Sequence, residues 1–444
     1  MSNVTIGVIA MCIFLVLMFM GFNIPFAMMF GGAIGIIWIK DASTAGTLIA
    51  SEFVNTFANY SLTVGPMFGL MGYVASFSGI GEKLFDCMKT FLGHRKGGLA
   101  SAVQVASAGF GAICGSPVSC NATMTAVAYP EMRKNGYEPE LAALCICGGG
   151  TLSVLIPPST NFIIYGIATE TPISQLFMAG ILPGIALTLI NIVTIKLILK
   201  KHPNWGSVGR KYTWKERWAS VKHGGIVEVI VVFAIAMGGM FAGFFTPTEA
   251  GAVGVAGMTL VAAISKQLTI KKFLKAVYSG VRLQATIYLL LACANVLAKM
   301  FSVSTIPMKL GNWVANLGIP NFVIMLIILA IYFILGMFTD LQAMILVTIP
   351  MFYPIIVDYC GYSTLWFGVV LTLMMSIGSM TPPVGTSIFF EKGFIMRYDP
   401  DVTVGRLFAC CWPWVANRIV ATAILIVVPQ IITWLPHLVY KVAL

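Results

Sequence analysis

Two short motifs, Leu155-Ile156-Pro157-Pro158-Ser159 and Met380-Thr381-Pro382-Pro383-Val384, each set a diproline midway along an otherwise apolar segment. A proline inside a helix has no N–H to donate, and its ring clashes with the carbonyl four residues back. Pro157 and Pro158 are therefore expected to release the carbonyls of Ser153 and Val154, and Pro382 and Pro383 those of Gly378 and Ser379. A bare carbonyl in hydrocarbon is costly, so such a break persists only where protein, water or an ion satisfies it. One proline alone reads as an ordinary kink packed by neighbours. Two diprolines at matched positions, each beside a Ser or Thr oxygen, read as broken helices, which set carbonyls on a small cation and half-helix N-termini toward an anion.

A second polar constellation is Gly115-Ser116-Pro117-Val118-Ser119-Cys120-Asn121-Ala122-Thr123, an uncharged, turn-forming island between apolar arms. A tip with hydroxyls, an amide and free backbone groups can close over an ion or a substrate. Its counterpart is Gly336-Met337-Phe338-Thr339-Asp340-Leu341-Gln342. An acid within a membrane segment is a candidate for function by default. Asp340 is open to two readings, a site residue or a helix cap. Thr246-Pro247-Thr248-Glu249 reads as a helix start, with a proline entry and an acid in the first turn.

The elements that must position these groups are membrane helices. The chain has 444 residues, 58% hydrophobic and 10% charged, against roughly 25% charged in soluble domains. Apolar runs such as Ile6 to Met20, Ile226 to Phe245 and Ile324 to Gly336 recur along it. The first run is long enough to span and lacks a small-residue cleavage site, so no removable signal is expected. The ten cysteines form no CxxC pair and the four histidines no HxxxH; neither a disulfide framework nor a metal centre is expected.

The chain also repeats itself. Gly21, Phe22, Pro25, Gly32 and Gly35 recur as Gly243, Phe244, Pro247, Gly254 and Gly257, and Gly111, Gly136, Tyr137, Pro157 and Pro158 as Gly336, Gly361, Tyr362, Pro382 and Pro383. Two nearly equal offsets define two halves, 1–200 and 226–444, joined by a basic linker, 201–225. The expected spans are near 5–21, 23–39, 62–80, 140–168 and 175–199, then 226–243, 248–265, 283–300, 365–389 and 408–433. Hairpins enter at 98–130 and 321–357, flanked by interfacial arms at 81–96 and 302–317. The broken helices are 140–168 and 365–389. With five spans and a hairpin per half, the second half is inverted relative to the first. Segments 82–98, 131–139, 200–222, 266–282 and 391–406 then hold 21 Lys and Arg, against 4 outside (Lys40, Lys299, Lys309 and Lys441), while Lys196 and Arg418 lie within spans. By the positive-inside rule the 21 are cytoplasmic and both termini periplasmic. The net charge of +11 is thereby explained without nucleic acid.

These residues carry a resemblance. Gly243-Phe-Phe-Thr-Pro-Thr-Glu-Ala-Gly251, Leu155-Ile-Pro-Pro-Ser159, Tyr165-Gly166, Leu176-Phe-Met-Ala-Gly-Ile-Leu-Pro-Gly184, Gly336-Met-Phe-Thr-Asp340 and Thr381-Pro-Pro-Val-Gly385 are similar, jointly and nearly end to end, to the large membrane (DctM-like) subunit of tripartite ATP-independent periplasmic (TRAP) transporters. The resemblance implies an all-α, polytopic, elevator-type transporter of the bacterial inner membrane, driven by sodium as coupling ion and with no other cofactor. It also implies two partners, a four-helix small membrane subunit (DctQ-like) and a periplasmic substrate-binding protein (DctP-like). The cargo would be an organic anion such as a C4-dicarboxylate, a sugar acid or sialic acid. Carried onto matching positions, a first sodium site would involve Ser116, Asn121, Ser153, Ile156 and Pro158, and a second Gly336, Gly378, Thr381 and Val384. Ser119, Ser159, Asp340 and Thr386 are substrate-binding candidates. The sequence departs from the family pattern at Ser153, where glycine is expected, and at the tip Ser116-Pro117-Val118-Ser119. The rival reading is a stand-alone sodium-coupled carboxylate symporter or antiporter of the related fold. No paired acids, metal cluster or nucleophile–base pair marks an enzyme.

Overall fold

The structure is a computed structural model described over residues 1–223 and 226–440, which leaves linker residues 224 and 225 and the expected outer Lys441 outside the described residues. Every regular element among the described residues is helical. The first half runs α1 (Asn3–Phe19), α2 (Ile24–Ile39), α3 (Ala42–Phe57), α4 (Val64–Phe77), α5 (Ile80–Leu92), α6 (Gly98–Cys114), α7 (Pro117–Lys134), α8 (Pro139–Gly150), α9 (Thr160–Ala168) and α10 (Ile173–Lys201). After α11 (Trp214–His223) in the linker come α12 (Ile226–Phe241), α13 (Pro247–Ile264), α14 (Ile270–Ser304), α15 (Ile306–Asn316), α16 (Asn321–Gly336), α17 (Leu341–Tyr353), α18 (Thr364–Gly378), α19 (Thr386–Ile395), α20 (Val404–Cys410), α21 (Trp412–Val427) and α22 (Gln430–Tyr440).

Two pairs of matched glycines take the same local geometry. Gly21 and Gly243 follow α1 and α12 at φ 85° and 80°, and Gly136 and Gly361 both turn the chain at φ 76°, a region that glycine enters without a Cβ penalty. Thr246 and Glu249 cap each other: Glu249 N–H donates to Thr246 Oγ1 (3.3 Å) and Thr246 N–H to the Glu249 carboxylate (2.8 Å). The motif is structural, as its spacing indicates.

Three regions differ from the sequence-based outline. No element is expected at 42–57, yet α3 forms there, started by Asp41, whose carboxylate accepts from Thr44 N–H at 2.8 Å. In the second half the equivalent stretch is one helix of 35 residues, α14, which takes in the expected span 283–300. The first half instead breaks near Asn59, whose side chain accepts from Ser61 N–H. The expected span 408–433 is divided among α20, α21 and α22, with a 47° bend between α20 and α21. Glu391, expected in a cytoplasmic loop, is 1% exposed; α19 continues past the outlined end at 389 and carries it into the interior.

α10, α13, α14 and the run Leu341–Tyr359 are long and apolar enough to cross a membrane, with the α20–α21 pair as one more. The segments near 140–168 and 365–389 each consist of two shorter helices, α8 with α9 and α18 with α19. On α10, Ile185, Leu189, Val193 and Leu197 form an i, i+4 stripe, each at least half exposed. An uncharged apolar stripe of this length suits lipid chains and not water.

α1–α4 and α12–α14 pack largely on one another, whereas α6–α9 and α16–α19 surround the two breaks, backed by α10 and α21. The basic segments meet one another. Arg133 Nε pairs with Asp399 at 2.7 Å, Glu138 N–H donates to the Trp205 carbonyl, and Gly209 N–H to that of Gly93. Four of the five segments expected to be cytoplasmic are thus in direct contact.

Candidate functional site

The first site grows from a tight turn. α6 ends at Gly115, which has φ 61°, and Ser116 then caps α7, with Pro117 at its first position. The turn throws the Gly115 carbonyl clear of both helices. It accepts from the N–H of Thr160 (3.1 Å) and from its hydroxyl (3.0 Å). A Cβ on Gly115 would overlap the Pro158 carbonyl, and one on Gly150 would overlap Asn121 Oδ1. At Gly111 a Cβ would lie 2.9 Å from Ser153 Cβ. The absence of these three side chains lets the hairpin backbone touch the break.

Within the break, residues 151–154 tighten into a 3₁₀ turn, and the Pro157–Pro158 bond is cis. The Val154 carbonyl freed by Pro158 accepts from Ser159 Oγ at 2.6 Å, while Ser159 Oγ accepts from Phe162 N–H at 3.4 Å. Ser159, a substrate candidate, therefore closes the break and starts α9, and it is fully buried. Ser153 Oγ donates to the Gly150 carbonyl (2.7 Å), but the Ser153 carbonyl, freed by Pro157, receives no N–H or O–H from the described residues. Asn121 is 1% exposed, and its Oδ1 has no partner among them. The donors at this site are thus neutral, hard oxygens, the set that unwound membrane helices offer to sodium. Ser116 and Ser119 are half-buried at the tip, and Ile156 packs against Gly184 of α10.

The second site has the same plan with different chemistry. A Cβ on Gly378 would lie 2.6 Å from the Phe333 carbonyl, and one on Gly336 3.1 Å from that of Met375, so two glycines bring α16 and α18 into backbone contact. Gly385 N–H donates to the Met337 carbonyl at 3.1 Å, which pins the second tip to the second break. Thr381 Oγ1 donates to the Ile377 carbonyl at 2.7 Å. The expectation that Pro382 and Pro383 leave two bare carbonyls needs correction. Gly378 accepts from Thr381 N–H, in a tightened turn just ahead of the prolines, and Ser379 from Ser387 N–H, where the chain folds back after them, both at 2.9 Å. Each carbonyl retains a second lone pair. Val384 is partly exposed beside the turn, and Thr386 opens α19.

Of the two readings of Asp340, the structure displays the cap: its carboxylate accepts from Gln342 N–H at 3.1 Å and is exposed. Gln342 Nε2 in turn donates to Thr160 Oγ1 at 3.4 Å. One hydroxyl therefore joins the first hairpin, the first break and the second hairpin. Thr160 does not stand out in the sequence, although it directly follows the diproline motif, and Gln342 ends the second tip motif with no sign there of its partner. Cavities of about 550 and 370 Å³ share Asn59, Ile167 and Glu170 at the far end of α9. A narrow crevice runs from there along Ile167 and Ile163 to Thr160.

Behind the first break lies a buried polar network. Arg418 of α21 is fully buried; its Nη2 donates to the Gly148 carbonyl at 3.0 Å and to Thr151 Oγ1. Asn191 Nδ2 donates to Gln104 Oε1 (2.9 Å), and Asn417 Nδ2 to Asn191 Oδ1 (2.9 Å). A guanidinium set on the C-terminal carbonyls of α8 meets the negative end of that helix.

Residues 11–431 match the family described as "Tripartite ATP-independent periplasmic transporter, DctM component". The chain is 29% identical over 400 residues to the C4-dicarboxylate TRAP transporter large permease protein DctM of Pseudomonas aeruginosa, covering 88% of this chain and 89% of that one. It is 31% identical over 422 residues to the ectoine TRAP transporter large permease protein TeaC of Halomonas elongata, covering 94% and 93%. The fold is shared with the YdaH transporter of Alcanivorax borkumensis (TM-score 0.60, 14% identity, 89% and 90% covered) and with MtrF of Neisseria gonorrhoeae (TM-score 0.59, 12% identity, 100% and 96% covered). With two hairpin tips held on two broken helices and a family match over nearly its whole length, the chain belongs to the DctM family and is a large permease subunit of a TRAP transporter.

Proposed function

We propose that the protein drives uptake of an organic acid across the bacterial inner membrane with sodium, by an elevator movement of the part that contains both tips and both breaks. The observation that supports this best is the pairing of Gly115 with Thr160 and of Met337 with Gly385. Each tip grips its own break through backbone groups, so an ion bound between them would stiffen both. Sodium would sit on Ser116, Asn121, Ser153, Ile156 and Pro158 at the first site, with Ser153 and Asn121 supplying oxygens that lack other donors. At the second it would sit on Gly336, Gly378, Thr381 and Val384. The N-termini of α9 and α19 offer positive dipole ends to an anion, beside Ser119, Ser159, Asp340 and Thr386.

The partners in this reading are a small four-helix membrane subunit and a periplasmic binding protein that delivers the cargo. The basic segments face the cytoplasm and both termini the periplasm. Relatives named for C4-dicarboxylates and 2,3-diketo-L-gulonate make a carboxylate the class to try first.

The test is uptake into proteoliposomes containing this chain and its cognate partners, with a panel of labelled acids. Each sodium entering gains about 2.3 kcal/mol per 100 mV, so two sodium ions with a monoanion give electrogenic uptake that collapses when potassium replaces sodium. Uptake that persists without sodium would remove the coupling. Uptake undiminished without the binding protein would favour a stand-alone symporter.

A further inference from the structure

Glu391 lies on α19, past the second break, and is 1% exposed. Its only hydrogen-bond partner among the described residues is Thr125 of α7, whose Oγ1 lies 2.9 Å from Glu391 Oε1. The same Oγ1 lies 2.7 Å from the Asn121 carbonyl. Glu391 Oε2 has no partner among the described residues, and Glu391 enters none of the ion pairs there.

A proton count settles what this arrangement needs. A threonine hydroxyl has one hydrogen to donate, and a carbonyl can only accept. If that hydrogen points at the Asn121 carbonyl, the contact with Glu391 needs a hydrogen from the carboxyl. If it points at Glu391, two oxygens face each other at 2.7 Å with nothing between them. Each of the two contacts has a hydrogen of its own only when Glu391 is a neutral acid, giving Oε1–H···Oγ1–H···O=C. Oε2 points the same way. As half of a carboxylate it would carry buried charge with no donor, whereas on a neutral acid it is an ordinary carbonyl oxygen, far less costly to leave unbonded.

We propose that Glu391 is a proton-binding site inside the permease, held by Thr125 and occupied in the arrangement described. Among the described residues, the groups facing it carry no compensating cation. α7 offers Cys120 and Tyr129, with Arg133 farther on already paired to Asp399; α8 offers Cys147 and Glu140, the latter paired with Arg406 of α20 at 2.5 Å. On α19 itself, Lys392 reaches away to the Pro400 carbonyl. The bound proton closes a link between the helix that follows the first tip and the helix that follows the second break. Loss of the proton leaves the single Thr125 hydrogen to serve either the carboxylate or the Asn121 carbonyl, so one of the two contacts loses its hydrogen.

The test is infrared difference spectroscopy on the purified full-length protein, titrated from neutral to strongly alkaline pH. Near neutral pH the exposed carboxylates are already ionised, so a remaining carboxylic-acid C=O band reports a protonated buried group. The expected result is one such band that disappears on alkalinisation, is lost in Glu391→Gln, and moves to higher frequency in Thr125→Val, where the acid loses its acceptor. A band unchanged in Glu391→Gln overturns the proposal. So does a sodium-sensitive carboxylate stretch that Glu391→Gln removes, which would assign the site to a metal cation. Should Glu391→Gln not elute as the wild type does, the Thr125→Val shift alone decides, and an unmoved band refutes the site. The readout requires no transport, so it stands or falls separately from sodium-driven uptake.

Discussion

Ser159 spends both of its hydrogen-bonding roles on the first break, donating to the Val154 carbonyl and accepting from Phe162 N–H. Ser159→Ala leaves both groups buried and unpaired, at about 1–3 kcal/mol. The expected outcome is a lower unfolding temperature in detergent, and an unchanged one would remove Ser159 from the break. Thr381→Val keeps the shape of the side chain but removes a hydroxyl proposed for the second sodium site. A loss of about 1–3 kcal/mol there corresponds to about 5–150-fold in sodium affinity. Sodium titration of uptake checks this, with Thr5→Val in α1 as a control expected to behave as wild type. At the basic end, the Lys89 ammonium holds the Glu131 carboxyl below its ordinary value. Partial burial pushes Asp399 up, but the bonds from Arg133 and Tyr129 outweigh it and hold that group low as well. The sign follows from the lowered folded values. Their stabilisation is present above pH about 4 and is lost as pH falls through those values. Unfolding temperature should therefore drop on acidification, and less so in Asp399→Asn.

At the scale of elements, the first tip is held to its break by two bonds to one carbonyl. Thr160→Val removes the hydroxyl bond and also the acceptor of Gln342. At about 1 kcal/mol per neutral bond, the sodium requirement should rise about fivefold or more. Gly115→Ala should do more, because a Cβ would overlap the Pro158 carbonyl at a residue with positive φ. Uptake measured over a sodium range checks both. Wild-type dependence in Gly115→Ala would mean that tip contact is not part of ion binding. Much of this arrangement was legible beforehand. Pro157, Pro158, Pro382 and Pro383 mark the breaks because proline lacks a donor, and Gly115 and Gly336 mark the tips. Thr160, Gln342 and Arg418 were not legible as partners, because their roles depend on neighbours 45, 182 and 270 positions away in the chain.

For the whole molecule, the basic segments meet at one end, through Arg133 with Asp399 and Glu138 with Trp205. If the halves are inverted, cysteines introduced at Ser207 and Ser363 into a cysteine-free background should label from the cytoplasm and the periplasm respectively. Labelling of both from one side would refute the inversion and leave the helical fold intact.

The sequence by itself determined the membrane setting and the positions of tips and breaks, through local rules: apolar run length, the missing N–H of proline and the freedom of glycine. The family was legible in motifs matched nearly end to end. Tertiary structure alone decided which freed carbonyls stay without donors. Among the described residues no donor reaches the Ser153 carbonyl, whereas Gly378 and Ser379 recover amide hydrogens from Thr381 and Ser387, although both motifs carry the same two prolines. It also decided that Glu391 enters the interior while Lys392 beside it does not. Burial depends on which helix packs against a face, and no local pattern in the chain fixes that.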